Sequence, residues 1–426
     1  MITGLLVTGV IVYCAPFAAC NAFALGSDDE QKPSAISDYS ASIESASIEK
    51  GEYLARVGNC ATCHTVKGGK SYAGGVAFHT PFGALYSTNI TPDEATGIGR
   101  WTFADFYRSM KQGVRPDGSH LYPAFPYTNF AKMRDDDIAS LYLYLRTLKP
   151  INAVAPPNQL SFPYNLRPLL RVWKLLFHDS SPYLPDTSQT AIWNRGAYLV
   201  EGPGHCGACH TPRNPLGAER GSLALTGGSY MDTVKRGGYR RWSAPNLTPD
   251  TTGLAGWSED DIVSYLKQGI SDRAVVHGPM REVVMNSTRY LKDADLYAMA
   301  TYLKSLPAAK QTADKPPGSA QLKSGEVVYT VHCGSCHLPT GKGAQGLGVP
   351  LTENALVQAP DPSSLINVIL YGPHLPGRPF AVDRSGMAMF GKRLSDEDIA
   401  QVASYVRNSF GNRAGAVSPE QVKLQR

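Results

Sequence analysis

The chain has 426 residues, a length that allows about three domains of 100–150 residues each. Its net charge is only +5, without the concentrated basic patch that nucleic-acid binding demands. Glycine and proline are abundant, at 41 and 31 residues, a composition of loop-rich small domains rather than of one large core.

The opening, MITGLLVTGVIVYCAPFAACNAFA, is apolar and ends in Ala22-Phe23-Ala24, which fits an A-x-A cleavage site. The run is short for a membrane span, which needs roughly 20 apolar residues. Residues 1–24 are therefore expected to be a signal peptide. The Lys or Arg that usually precedes the apolar run is missing, so an uncleaved anchor and a lipidated Cys20 stay open. Cleavage would remove Cys14 and Cys20, two of the eight cysteines. The other six stand as three pairs, and none would be left for a disulfide.

A first unit is expected over residues 46–150. A short helical pattern opens near Gly51 (GEYLARVGNC) and leads into Cys60, Cys63 and His64; the unit closes with an acidic helix start, DDDIASLYLYLRTL. A second, over 191–310, repeats the order with Gly196, then Cys206, Cys209 and His210, then DADLYAMATYLKSLP. A third, over 320–415, has Gly325, then Cys333, Cys336 and His337, then DEDIAQVASYVRNSF. Asp and Glu in the first turn suit the helix dipole. In each closing helix a tyrosine (Tyr144, Tyr302, Tyr405) lies six residues after the first apolar residue. Units one and two also share NITPDEATGIGRW and NLTPDTTGLAGW, which marks duplication of whole domains, and the period is far too long for a solenoid. Pro-rich linkers join the units. Between the first two lies a basic amphipathic stretch, residues 166–178 (LRPLLRVWKLLFH), suited to packing between domains or to a membrane surface.

A single Cys-x-x-Cys can be redox-active or hold half a zinc site. Three copies, each followed at once by histidine and each over a hundred residues from the next, point to covalent haem. The thiols add to the porphyrin vinyl groups and the adjacent imidazole becomes the proximal iron ligand. Three haem c groups are expected, on Cys60, Cys63, Cys206, Cys209, Cys333 and Cys336, with His64, His210 and His337 on iron. No dinucleotide fingerprint, nucleophile elbow or acidic metal cluster accompanies them.

These features resemble three tandem class I cytochrome c domains. More closely, they resemble the triple-haem cytochrome subunit of membrane-bound dehydrogenases of acetic acid bacteria and relatives. The resemblance spans nearly all the chain and is densest at YSTNITPD, HLYPAFPYTNF and RGAYLVEGPGHCGACHTPRNPLGAE. It implies an all-α fold whose first and last helices cross near the named glycines and tyrosines. It implies electron transfer from a large periplasmic dehydrogenase subunit of molybdopterin, quinoprotein or flavin type to ubiquinone, with room for a small third subunit. The location it implies is peripheral, at the periplasmic face of the cytoplasmic membrane. The phenylalanine in LYPAFPY leans toward partners that are molybdenum aldehyde dehydrogenases. A freestanding or oxidase-linked multihaem carrier is the alternative, and a haem peroxidase a more distant one.

The resemblance also implies sixth ligands from the loop before each closing helix. Met280, after Gly-Pro, matches the family ligand in unit two, rather than Met285. In unit three, setting Phe390 on the family's aromatic selects Met387 over Met389. Unit one departs from the pattern, with Phe125 where many relatives have Met. Met133 is the nearest thioether, but it stands two residues before Asp135, whereas Met280 and Met387 stand thirteen and nine before Asp293 and Asp396. His120 is a second candidate, and a five-coordinate iron a third possibility.

Overall fold

The computed structural model describes residue 44 and residues 46–233, 239–309, 315–344, 347–373 and 387–426. The expected signal peptide, with Cys14 and Cys20, lies outside the described residues.

One helical construction recurs three times. Helix α1 (Ile48–Val57) leads into α2 (Cys60–His64), and after α3 (Phe103–Gln112) and α4 (Tyr127–Phe130) comes α5 (Asp135–Thr147). After α6 (Leu169–Phe177), α7 (Ala191–Glu201) leads into α8 (Gly207–His210), with α9 (Glu259–Gln268), α10 (Gly278–Asn286) and α11 (Asp293–Ser305) following. Finally α12 (Ser319–His332) leads into α13 (Gly334–His337), with α14 (Ser363–Tyr371), α15 (Asp396–Asn408) and α16 (Pro419–Gln425). Helix α1 packs on α5, α7 on α11, and α12 on α15.

Glycine makes each crossing possible. A Cβ on Gly51 would lie 2.0 Å from the Ser140 carbonyl oxygen, on Gly196 1.9 Å from that of Ala298, and on Gly325 2.2 Å from that of Gln401. Tyr144, Tyr302 and Tyr405 pack against the same three glycines. The closing helices start where their acidic runs begin, and Ser395 and Asp398 form a reciprocal cap on α15.

The all-α expectation needs correction, because two small antiparallel sheets are present. Strands β1 (Ala77–Thr80), β2 (Gly83–Tyr86) and β3 (Gln159–Leu160) run in that order, with Phe78 opposite Leu85. Strands β4 (Gly228–Thr233) and β5 (Tyr239–Ala244) form the second sheet, with Tyr230 opposite Trp242. Both sheets follow a Cys-x-x-Cys-His helix, and β1 packs against β4. The third helical core also runs past residue 415, since Val417 and Val422 in and before α16 are buried within it.

The first two repeats are held together by a reciprocal exchange. Tyr53 on α1 donates its hydroxyl hydrogen to Asp295 on α11 at 2.6 Å, and Tyr198 on α7 donates to Asp137 on α5. Arg134 and Lys292 each lie over the tyrosine ring that reaches across, at 5.2 and 5.5 Å from its centroid. Helix α6 packs in the same region, as the sequence allowed. Trp173 Nε1 donates to the Leu216 carbonyl at 2.9 Å, and Lys174 Nζ donates to the carbonyls of Gln112 and Gly113, each at 2.6 Å.

Candidate haem sites

Each Cys-x-x-Cys-His stretch is one tight helical turn, which sets the two thiols and the imidazole at a fixed spacing. The residue before the first motif, Asn59, and the one before the second, His205, are left-handed at φ 50° and 36°. After each motif a positive-φ glycine turns the chain back. The amides of Gly74, Gly227 and Gly343 donate to the carbonyls of His64, His210 and His337 at 2.8, 2.8 and 3.0 Å. A side chain at Gly74 would sit 2.4 Å from the Thr88 backbone, so only glycine fits.

That turn matters because the returning chain orients the imidazole. Nδ1 of His64 bonds the Thr88 carbonyl at 2.6 Å, Nδ1 of His210 that of Pro245 at 2.8 Å, and Nδ1 of His337 that of Val349 at 2.9 Å. A carbonyl only accepts, so Nδ1 carries the proton and Nε2 keeps its lone pair. This is the arrangement an iron-ligating histidine requires, and it occurs three times. Burial pushes all three imidazole pKa values down and so favours the neutral form.

The acceptor carbonyls were not legible as site residues. Their signal was the shared Asn-x-Thr-Pro-Asp, which reads as a turn. Asn89 and Asn246 are buried directly after Thr88 and Pro245, and each Oδ1 accepts from an amide two residues on at 2.9 Å. Their amides reach the carbonyls of Ile151 and Ala309, which fixes the acceptor strand to the chain leaving the closing helix.

All six motif cysteines are unpaired. Burial pushes the thiols of Cys60, Cys63 and Cys206 up to about 12, and that of Cys333 to about 11. Such thiols are poor redox nucleophiles at neutral pH. Cys209 adds to the shift at Cys63, and both raise that of Tyr230, so the first two motifs face one another across β4. A cavity of about 2700 Å³ opens here, lined by Cys63, Thr65, Cys209, Thr211 and Tyr230, among others. The donor set and the space fit covalent haem.

The expected distal residues are placed as follows. Cys206 and Met280 pack on one core, Cys333 and Met387 on another, and Cys60, Phe125 and Met133 on the third. Met280 sits on α10 rather than in a loop, and Gly278 starts that helix at φ 55°. Met389 is exposed, and Met285 accepts a contact from Arg289 at 3.6 Å. Met133 is fully buried, and Nδ1 of His120 faces Lys174 Nζ at 2.9 Å, beside α6.

A helix pair closed over a Cys-x-x-Cys-His turn, with the histidine held through Nδ1, defines a carrier of covalent haem. The model of the family described as "Cytochrome c" matches residues 48–149 and 194–307, and that of "Cytochrome C oxidase, cbb3-type, subunit III" matches 320–406. The chain is 41% identical over 391 residues to the cytochrome c subunit of alcohol dehydrogenase (quinone) from Gluconacetobacter polyoxogenes, covering 87% of this chain and 82% of that one. It is 37% identical over 425 residues to the fructose dehydrogenase cytochrome subunit of Gluconobacter japonicus, covering 91% and 84%. It is 43% identical over 377 residues to a nicotinate dehydrogenase subunit of Pseudomonas putida, covering 87% of this chain but only 31% of that longer protein. The chain belongs to the cytochrome c family, in the group formed by the cytochrome c subunits of such dehydrogenases, and its function is electron transfer.

Proposed function

We propose that the chain is the electron-relay subunit of a periplasmic dehydrogenase, passing electrons through three covalent haems from that enzyme's active site toward membrane ubiquinone. The reading rests chiefly on three histidines that each spend Nδ1 on a backbone carbonyl directly after a Cys-x-x-Cys. The threefold helix crossing supports three tandem class I domains joined by Pro-rich linkers, near 46–150, 191–310 and from 320 through α16. When bound, each haem supplies a one-electron couple. The protein's part is to fix the imidazole tautomer and hold the first two motifs face to face. Met280 and Met387 are proposed as sixth ligands in units two and three, since each packs on the same core as the first cysteine of its own motif.

The large partner would hold the substrate-oxidising site, of molybdopterin, quinoprotein or flavin type. The names of the relatives support a dehydrogenase without fixing its substrate. Mass spectrometry of the exported protein is expected to show three haem additions. Cys206→Ala should lose or weaken one of them while the other two remain, and a wild-type chain carrying two would overturn the count.

We place the chain at the periplasmic face as a peripheral protein delivered by its signal peptide. Among the described residues no helix is long and apolar enough to cross a membrane. Helix α6 supports contact with the membrane surface. Its inner face packs through Leu170 and Trp173, Leu169, Val172 and Leu176 edge the haem cavity while still exposed, and Leu175, away from the cavity, is 86% exposed. Nearby Phe162 is also exposed, and Arg171 points to solvent on the same helix. An apolar outer face flanked by arginine suits the headgroup boundary of an anionic bilayer. The change Leu175→Glu is expected to cut binding to anionic vesicles several-fold without changing haem content. Unchanged vesicle sedimentation would remove α6 from the membrane contact.

A further inference from the structure

The three closing helices provide a common frame for the residues that precede them. Leu291 in unit two lies two residues before Asp293. Its carbonyl accepts from Lys267 Nζ at 2.7 Å, and the same ammonium pairs with Asp293 at 2.9 Å. In unit three, Leu394 lies two residues before Asp396; its carbonyl accepts from Arg426 at 3.1 Å, and Arg426 pairs with Asp396 at 2.7 Å. In unit one the residue so placed is Met133. Its carbonyl accepts from Lys111 Nζ at 2.5 Å, and Lys111 pairs with Asp135 at 3.2 Å. All three residues are buried in the cores of their units. Met133 thus occupies the station of a core leucine, where a thioether serves as filling.

The station of Met280 and Met387 falls instead to Phe125. It packs on the unit-one core with Cys60, as Met280 does with Cys206 and Met387 with Cys333. Its neighbours Ala124 and Pro126 line the cavity that Cys63 and Cys209 share, as do Gly278 and Pro279, just before Met280. Phe125 packs on Phe130 with ring centroids 5.3 Å apart and planes tilted by 52°, and a phenyl ring has no donor for iron. The imidazoles near this unit have other neighbours, and His79, on the cavity wall, stacks on Tyr239 with ring centroids 5.7 Å apart. Besides His120 on Lys174, His178 Nε2 meets the Lys111 carbonyl at 2.9 Å and His205 Nε2 the Gly58 carbonyl at 3.1 Å.

From this geometry we infer that the iron held by His64 has no side-chain sixth ligand, and that its distal side, walled by Phe125, is a binding site for a small neutral diatomic ligand of the carbon monoxide class. The inference rests on the three-haem reading and deepens it at one site. An apolar wall disfavours anions, which would have to leave water unpaired, and admits uncharged diatomics. Without a thioether this haem also has a lower potential than the other two.

The test uses the purified full-length protein. The pyridine haemochrome gives the haem count; any value other than three per chain defeats the parent reading and not this one. With three haems, the red charge-transfer band of the oxidised protein is expected to report two thioether-ligated irons. Met280→Leu and Met387→Leu should each halve that band, whereas Met133→Leu, which restores the residue of the other two units, should leave it unchanged. Carbon monoxide added to the reduced protein should titrate to one equivalent per chain. Phe125→Met should raise the band by half and abolish carbon monoxide binding. A wild-type band worth three thioethers, a loss of intensity in Met133→Leu, or three haems with no carbon monoxide uptake would each overturn the inference.

Discussion

Replacing Gly196 by valine should remove the haem-loaded second unit from purified protein. The Cβ of any side chain at this position would come 1.9 Å from the Ala298 carbonyl oxygen and 2.9 Å from the Tyr302 Cβ. The obstacle is helix backbone, which cannot rotate aside as a side chain can. Helices α7 and α11 would have to separate by more than an ångström, opening the interface that buries Leu199, Leu296 and Leu303. Overpacking of a core commonly costs about 1–3 kcal/mol, and a clash with backbone lies at or beyond the upper end of that range. The motif Cys206–His210 hangs directly on α7, so loss of the crossing should appear as loss of one haem of three. Gly51→Val and Gly325→Val should act in the same way on units one and three. Gly221→Ala is the control, since a Cβ there meets nothing within 4 Å. Full haem content in Gly196→Val would show that the crossing is not needed for attachment.

How much of this could be read in the chain depended on whether the information was local. Covalent attachment fixes the spacing of Cys206, Cys209 and His210, and an amphipathic helix announces itself through the acidic start and period of DADLYAMATYLKSLP, so both were legible. The strands were not. AFHT and GALY are four residues each and carry no long alternation, and their order depends on pairing with the distant Gln159–Leu160. The carbonyls that orient the histidines were hidden for a different reason. Backbone acceptors leave no residue-type signature, and only the buried Asn89 and Asn246 beside them are sequence-specific. Helix α6 was ambiguous because an amphipathic face can meet either a neighbouring domain or a membrane, and only the fold shows that Leu170 is covered and Leu175 is not. Met133 could be weighed by its distance from Asp135, but its likeness to Leu291 and Leu394 appears only when Lys111, Lys267 and Arg426 are seen making the same bond.

The exchange between the first two repeats was the least legible feature of all, because Tyr53 and Asp295 are 242 residues apart, and it sets the second large effect. Asp137 has a side chain only 1% exposed, bonded to Tyr198 and paired with Lys50 at 2.5 Å and Arg134 at 3.3 Å. Asp137→Ala leaves the Tyr198 hydroxyl without its acceptor, keeping only the bond it receives from the Arg134 amide, and two cations without their inner partner. Breaking a buried pair costs about 3–5 kcal/mol, and water reaching Lys50 and Arg134 brings the expected loss to about 3 kcal/mol. Units one and two are expected to melt together in the wild type and in separate steps in the variant. The wild-type contact should also be acid-labile. Burial pushes the Asp295 carboxyl up, but the bonds from Arg195 and Tyr53 outweigh it and hold its pKa below the usual value. A carboxyl with a depressed folded pKa contributes its full stability above the unfolded value of about 3.9. That contribution is lost as pH falls through the folded value. Asp295→Asn should therefore flatten the decline of the shared transition below pH about 4. Unit three provides the contrast, because Val327 stands two residues after Gly325, where Tyr53 follows Gly51 and Tyr198 follows Gly196, and it is 65% exposed. Val327→Tyr should leave every transition in place. Calorimetry from pH 3 to 7 on these variants decides the matter, and a single unchanged transition in Asp137→Ala would show that the exchange does not couple the two units.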